Sequence, residues 1–149
     1  MNIDGEIVII EDDIDDQELF AAAFRNLNIS NPIIFFNDAE FALVHLERDG
    51  IHPFLIISDI NMPKVDGFEL RARIYVNSEL SKICTPYIFF ATSLSKEAVL
   101  NAYAYSVQGF FQKPTTFEEL ESTLRSIIDY WKKCYTPNRF CQPGSQPTV

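Results

Sequence analysis

The 149 residues are enough for one domain with a sizeable core and too few for two of ordinary size. A hydrophobic content of 47%, with 13 Phe and 6 Tyr, excludes a disordered chain. Against 21 Asp plus Glu there are only 12 Lys plus Arg, and the resulting net charge of −9 repels the phosphate backbone of DNA or RNA, so no direct nucleic-acid binding is expected.

In chain order, Ile7-Val8-Ile9-Ile10 is a continuous β-branched run, the pattern of a strand covered on both faces in a parallel sheet. From about Asp15 to Leu27, Leu19, Phe20, Ala23, Phe24 and Leu27 recur at helical spacing behind acids that favour a helix start. Pro32–Phe36 reads as a second strand, and Ala39 to about Arg48 as a helix with Phe41, Ala42, Val44 and Leu46 as its apolar stripe. Phe54–Ser58 is the third strand, and a helix runs from about Gly67 through Phe68, Leu70, Ile74 and Tyr75. Pro86–Ala91, a helix over about Lys96–Tyr105, the short strand Gly109–Gln112 and a last helix over Phe117–Lys132 complete five β-α units. Strict alternation of this kind implies a parallel sheet with helices on both faces and right-handed crossovers. Residues 134–149 carry three Pro and little periodicity, so they read as a loose, flexible C-terminal tail with no output domain, and 1–133 as the folded domain.

Cys84, Cys134 and Cys141 are odd in number and lack C-x-x-C spacing, as expected of free thiols in a reducing compartment. The N-terminus has no basic region followed by a long apolar run, and no apolar stretch approaches a membrane span, so a cytoplasmic protein with no membrane contact is expected.

Four polar sets follow three of the strands: Glu11-Asp12-Asp13 after the first, Asp59 and then Asn61-Met62-Pro63-Lys64-Val65-Asp66-Gly67 after the third, and Lys113-Pro114 after the last. Open parallel sheets collect their ligands beyond the carboxyl ends of the strands, so these groups are expected to converge. Two like unit charges about 4 Å apart repel by about 4 kcal/mol at a surface-like dielectric, and crowded carboxylates raise one another's pKa unless a cation intervenes. Mg²⁺ is a natural partner, because it prefers oxygen ligands and keeps positions open for a phosphoryl oxygen. Asp59 at a sheet edge has the makings of a nucleophile toward phosphorus, and Lys113 would pair with Asp59 at rest and with a phosphoryl oxygen after transfer.

With these motifs in this order, residues 6 to 133 resemble the receiver domain of two-component response regulators. The resemblance implies a flavodoxin-like (βα)5 doubly wound fold with strand order 2-1-3-4-5. It further implies Asp59 as phosphoacceptor, Glu11 and Asp12 as Mg²⁺ ligands with Asp59, Asn61 as a backbone-carbonyl ligand, Lys113 as phosphate partner and Phe110 as the aromatic switch position. Partners would be a histidine kinase or histidine phosphotransfer protein and a downstream protein, with a homodimer as one form of output; the chain would be a switch rather than an enzyme. One position departs from the family pattern. The Thr or Ser usual at the end of the fourth strand falls, counting 22 back from Lys113, on Ala91, with Thr92 one place later as the substitute hydroxyl.

Two other readings compete. A phosphorylation-independent pseudo-receiver would account for Ala91 and not for the intact acids and lysine. A small phosphohydrolase with an aspartyl nucleophile usually carries a second Asp two residues on, where this chain has Asn61.

Overall fold

The computed structural model of the chain describes residues 2–140. Its strands are β1 (Ile7–Ile10), β2 (Ile33–Phe36), β3 (Leu55–Ser58), β4 (Tyr87–Ala91) and β5 (Gly109–Gln112). Its helices are α1 (Ile14–Leu27), α2 (Ala39–Leu46), α3 (Gly67–Val76), α4 (Ser78–Ile83), α5 (Lys96–Ala104) and α6 (Phe117–Lys133). The five strands form one parallel sheet in the order β2-β1-β3-β4-β5, as the resemblance implied. Every residue of β1, β3 and β4 is buried, which is why these strands read as unbroken apolar runs rather than alternating ones.

Alternation appears instead in which layer each side chain enters. Val8, Ile10, Ile56, Tyr87, Phe89 and Ala91 face Ala42, Leu70, Ile74 and Ala102, in a layer made by α2, α3 and α5. Ile7, Ile9, Leu55, Ile57, Ile88 and Phe90 face Phe20, Phe24, Leu124 and Ile128 of α1 and α6. Each such fully buried aliphatic or aromatic side chain contributes about 1.5–3 kcal/mol of transfer free energy. That driving force makes the sheet a rigid platform for whatever its edge carries.

The helices start where their caps dictate. Asp13, Asp38, Asp66, Ser95 and Thr116 precede α1, α2, α3, α5 and α6 in extended backbone and accept amide protons of the first turn. Helix α1 therefore begins at Ile14, ahead of the expected Asp15. Three features of the sequence reading need correction. Leu19, Phe41 and Val44 were expected on apolar stripes and are exposed, because the buried registers are Phe20-Ala23-Phe24-Leu27 and Ala39-Ala42-Leu46. Helix α4 was not foreseen: it is six residues capped by Asn77 and has no buried residue. The loose tail was placed from Cys134, but Pro137–Phe140 form a 3-10 turn and Asn138 is buried with its Nδ2 donating to Pro53 O at 3.1 Å. The remainder of that tail, with Cys141, lies outside the described residues. Among the described residues no helix is long and apolar enough to cross a membrane.

Candidate functional site

The parallel ladder continues one residue past three strand ends. Glu11 N donates to Phe36 O at 2.9 Å, Asp59 N to Ile10 O at 2.9 Å and Lys113 N to Ala91 O at 2.7 Å. These bonds fix the backbones of Glu11, Asp59 and Lys113 along one edge of the sheet, so the convergence expected from the sequence follows from strand pairing. Oxygens of Glu11, Asp12 and Asp59 all lie within 4.8 Å of one another. Asp12 is exposed at the mouth of this cluster, whereas Asp59 and Glu11 are buried.

Asp59 is oriented by its own loop. Its Oδ1 accepts from Ile60 N at 2.7 Å, and Oδ2 stands 3.5 Å from Lys113 Nζ. The loop is held down by Gly67, whose amide donates to Ile60 O at 2.8 Å. A Cβ at Gly67 would lie 2.2 Å from Asp59 O and 2.9 Å from Ile60 Cα, so no side chain fits where α3 meets the Asp59 segment. Asn61 sits in this loop with an exposed side chain.

Lys113 was expected to pair with Asp59, and its nearer partners are others. Nζ lies 2.8 Å from Glu11 Oε2 and 2.8 Å from Asp16 Oδ2. Asp16 was read from the sequence only as helix-start charge; its place one turn into α1, three residues after the Asp13 cap, is the signal that turns it toward the sheet edge. Burial drives the Glu11 carboxyl up, the Lys113 bond opposes this and the neighbouring Asp59 charge adds to it, leaving the group at about 7. Burial acts to lower Lys113, but the bonds to Asp16 and Glu11 and the charges of Glu11 and Asp59 outweigh it, and the ammonium is held above its ordinary range. The site therefore holds an always-charged lysine facing carboxylates that crowd one another. Oxygen-only donors in a half-open cleft fit a hard divalent cation.

At the end of β4 the residue paired with Gln112 is Ala91, buried against the Phe89 layer, and Thr92 beyond it is exposed. The ungapped count is thus the structural register, and no hydroxyl stands at the strand end itself. Phe110 is half-buried, its ring 6.2 Å from that of Phe89, which also meets Phe68 at 5.5 Å. Of the aromatic residues near it, Tyr103 and Tyr105 are exposed and Phe111 stacks on Phe90.

Comparison with known proteins decides the family. The family model for the response regulator receiver domain matches residues 7–125. The chain belongs to the response regulator receiver family. It is 32% identical over 129 residues to the probable methanogenesis regulatory protein FilR2 of Methanothrix harundinacea, covering 84% of this chain and 82% of that one. It is 27% identical over 135 residues to the response regulator Rcp1 of Synechocystis, covering 87% of this chain and 90% of Rcp1. The solved Mn²⁺-bound form of Rcp1 superposes with a TM-score of 0.75 at 27% identity, over 87% of this chain and 96% of that one. The phosphorylated cyanobacterial phytochrome response regulator RcpA gives a TM-score of 0.78 at 25% identity, over 88% of this chain and 96% of that one. Receivers are signalling switches of two-component systems, working with kinases or phosphotransfer proteins and with downstream effectors; this one presents an acidic cluster compatible with a divalent cation.

Proposed function

We propose that this receiver takes a phosphoryl group onto Asp59 from a phosphohistidine on a histidine kinase or phosphotransfer protein, in the cytoplasm. The observation that carries the reading is the position of Asp59: its free oxygen lies in the carboxylate cluster and 3.5 Å from the Lys113 ammonium. In the transfer, an Asp59 oxygen forms the O–P bond as the P–N bond to the histidine breaks. The imidazole leaves with the bonding pair and takes up a proton. Lys113 keeps its own protons and faces the transferred group as a point charge. Glu11, Asp12 and Asp59, with the Asn61 carbonyl, would hold Mg²⁺, as the donor set suits. Bound there, Mg²⁺ supplies positive charge to the phosphoryl oxygens. Phosphorylation then biases a two-state equilibrium read out by protein–protein contact, a homodimer among the forms this takes. Slow self-phosphorylation from small donors and slow hydrolysis of the aspartyl phosphate are the only catalysis this reading includes.

Intact-mass measurement after incubation with phosphoramidate tests it. One added phosphoryl group is expected in wild type, dependent on Mg²⁺ and absent in Asp59→Asn; an Asp59→Asn chain labelled as fast as wild type overturns the assignment. A second reading, a docking module that signals without phosphate, is favoured by buried Ala91 where a hydroxyl would couple the group to the fold. It gains if full phosphorylation leaves the protein's spectra and oligomeric state unchanged.

A further inference from the structure

Asp16 occupies a position its own helix does not explain. It is the third residue of α1, where a Glu or Gln often reaches back to the cap amide. Here the Asp13 amide is taken by Glu11 Oε1 at 3.2 Å, and the first-turn amides of Asp15 and Asp16 are taken by Asp13 Oδ1 at 2.8 and 3.2 Å. The capping work is complete without the Asp16 carboxylate. That carboxylate turns instead across the site to Lys113, 97 residues away in sequence, with Oδ2 at 2.8 Å from Nζ.

An ammonium carries three protons in compact geometry. Glu11 and Asp16 each stand at bonding distance, and Asp59 at 3.5 Å is the longest of the three contacts. Glu11 and Asp59 also belong to the carboxylate group that suits a cation, and Asp16 does not. Once Glu11 and Asp59 turn to a cation and a phosphoryl group, Asp16 is the partner of Lys113 that has nothing else to bind. Its side chain is about one-third exposed, so the bond is screened and exchangeable rather than locked.

We propose that Asp16 is a positioning residue that tethers the Lys113 ammonium on the α1 side of the site and competes with the phosphoryl oxygens for it, thereby limiting the rate at which Asp59 is phosphorylated. The tether rests on the phosphoacceptor reading of Asp59. A charge-assisted bond in a half-exposed cleft, partly replaced when it is lost, is worth about a three- to tenfold change in rate.

The test compares full-length wild type, Asp16→Asn and Asp15→Asn for phosphorylation by phosphoramidate at saturating Mg²⁺, each with and without Lys113→Met. The rate is followed by intact mass across phosphoramidate concentration. Asp16→Asn is expected to raise the maximal rate about three- to tenfold with an unchanged half-saturating concentration. Asp15→Asn removes the same charge from the same exposed helix turn without touching Lys113 and is expected to match wild type. In the Lys113→Met background the Asp16 effect is expected to vanish. An Asp16→Asn rate equal to or below wild type, an equal gain in Asp15→Asn, or a gain that survives Lys113→Met overturns the tether. The Lys113 ¹³Cε chemical shift, read at neutral pH, follows the contact without phosphate: it is expected to move in Asp16→Asn and not in Asp15→Asn, and an unmoved shift also overturns the tether. Wild type that takes no phosphate while this shift moves overturns the phosphoacceptor reading, and the rate limit with it, but leaves the contact.

Discussion

Among the described residues, buried Arg71 and half-buried Lys113 are two cations held in opposite ways. Lys113 faces three carboxylates, at 2.8, 2.8 and 3.5 Å. Arg71, on α3, meets no carboxylate among the described residues: Nε donates to Tyr105 O at 2.8 Å, Nη2 to Ser106 O at 3.0 Å, and the guanidinium lies 5.2 Å from the Tyr87 ring centre and 5.9 Å from that of Tyr75. Burial lowers the Arg71 pKa, with Tyr87 and Cys84 the main opposing influences, whereas the anions around Lys113 raise its own. Backbone carbonyls cannot leave, so Arg71 is a fixed clamp that ties α3 to the turn after α5. Carboxylates can be drawn off by a metal ion or replaced by a phosphoryl oxygen, so Lys113 sits where its partners exchange. A cation's partners, more than its burial, separate the structural charge from the one poised for chemistry.

Helix α3 joins the two regions, beginning at Gly67 against Asp59 and carrying Arg71 one turn on. The harshest way to break the comparison is therefore Gly67→Ala. Its Cβ would meet backbone at 2.2 and 2.9 Å, which no rotamer relieves, so urea unfolding is expected to show a loss of more than about 3 kcal/mol. Phosphorylation of Asp59 is expected to slow as well, because the displaced atom is its own carbonyl. Arg71→Met comes next. It keeps the aliphatic stem and removes the donors of two carbonyls, of which Ser106 O keeps the Gln108 amide at 2.9 Å and Tyr105 O loses its side-chain partner, for an expected loss of about 1–2 kcal/mol with the Asp59 phosphorylation rate unchanged. A rate that falls with the stability would show that the two cations are not independent.

Much of this was legible in the sequence, because a doubly covered parallel strand writes itself as an unbroken apolar run. Ile7–Ile10 falls where its composition put it and Leu55–Ser58 one residue inside the expected Phe54–Ser58, and the ladder then carries Glu11 and Asp59 to one edge. Helix α4 was illegible because Ser-Glu-Leu-Ser-Lys-Ile is too short to show a period and half-buries Leu80 against the core without a fully buried residue. The Lys113–Asp16 contact was illegible for another reason: an acid in a first helical turn has a sufficient local explanation, and only the packing of α1 beside β5's end reveals a partner 97 residues away. Arg71 gave no signal at all, since its partners are main-chain carbonyls of a turn.

The pH dependence sharpens the contrast from the anion side. Glu11 binds its proton more tightly folded, at about 7, than its ordinary value of 4.5. The stability this contributes is complete below about 4.5 and is lost as pH rises through about 7, because the folded state then gives up a proton that the unfolded chain had already lost. In metal-free buffer, Glu11→Gln is expected to become more stable relative to wild type between about pH 5 and 8. The relative gain should be about 1–2 kcal/mol, below the full shift because the cleft is open to solvent. Arg71→Met is expected to show no such pH-dependent difference over that range, since a guanidinium stays charged throughout. A flat difference for Glu11→Gln would mean that Lys113 alone compensates the buried carboxylate.

The smallest effect expected concerns Ala91. It is the buried last residue of β4, in register with Gln112 and itself the acceptor of the Lys113 ladder bond, so a hydroxyl placed there would stand at the edge occupied by Asp59. Its side chain enters the same layer as Phe89, which touches Phe110, and Phe110 in turn lines a surface groove with Trp131. Trp131, the single tryptophan, thus sits where a shift of Phe110 would be felt. Ala91→Thr adds two heavy atoms at a strand end and is expected to cost less than about 1 kcal/mol. A new hydrogen bond from its hydroxyl to the phosphoryl group, available only after transfer, biases the phosphorylated state by about 0.5–1 kcal/mol, a two- to fivefold change in population. Trp131 fluorescence is therefore expected to change more on phosphorylation in Ala91→Thr than in wild type, while Thr92→Ala, at an exposed position past the strand, is expected to be silent. If wild type already gives the full change and Thr92→Ala abolishes it, the strand end rearranges on phosphorylation and the hydroxyl one residue on performs the coupling.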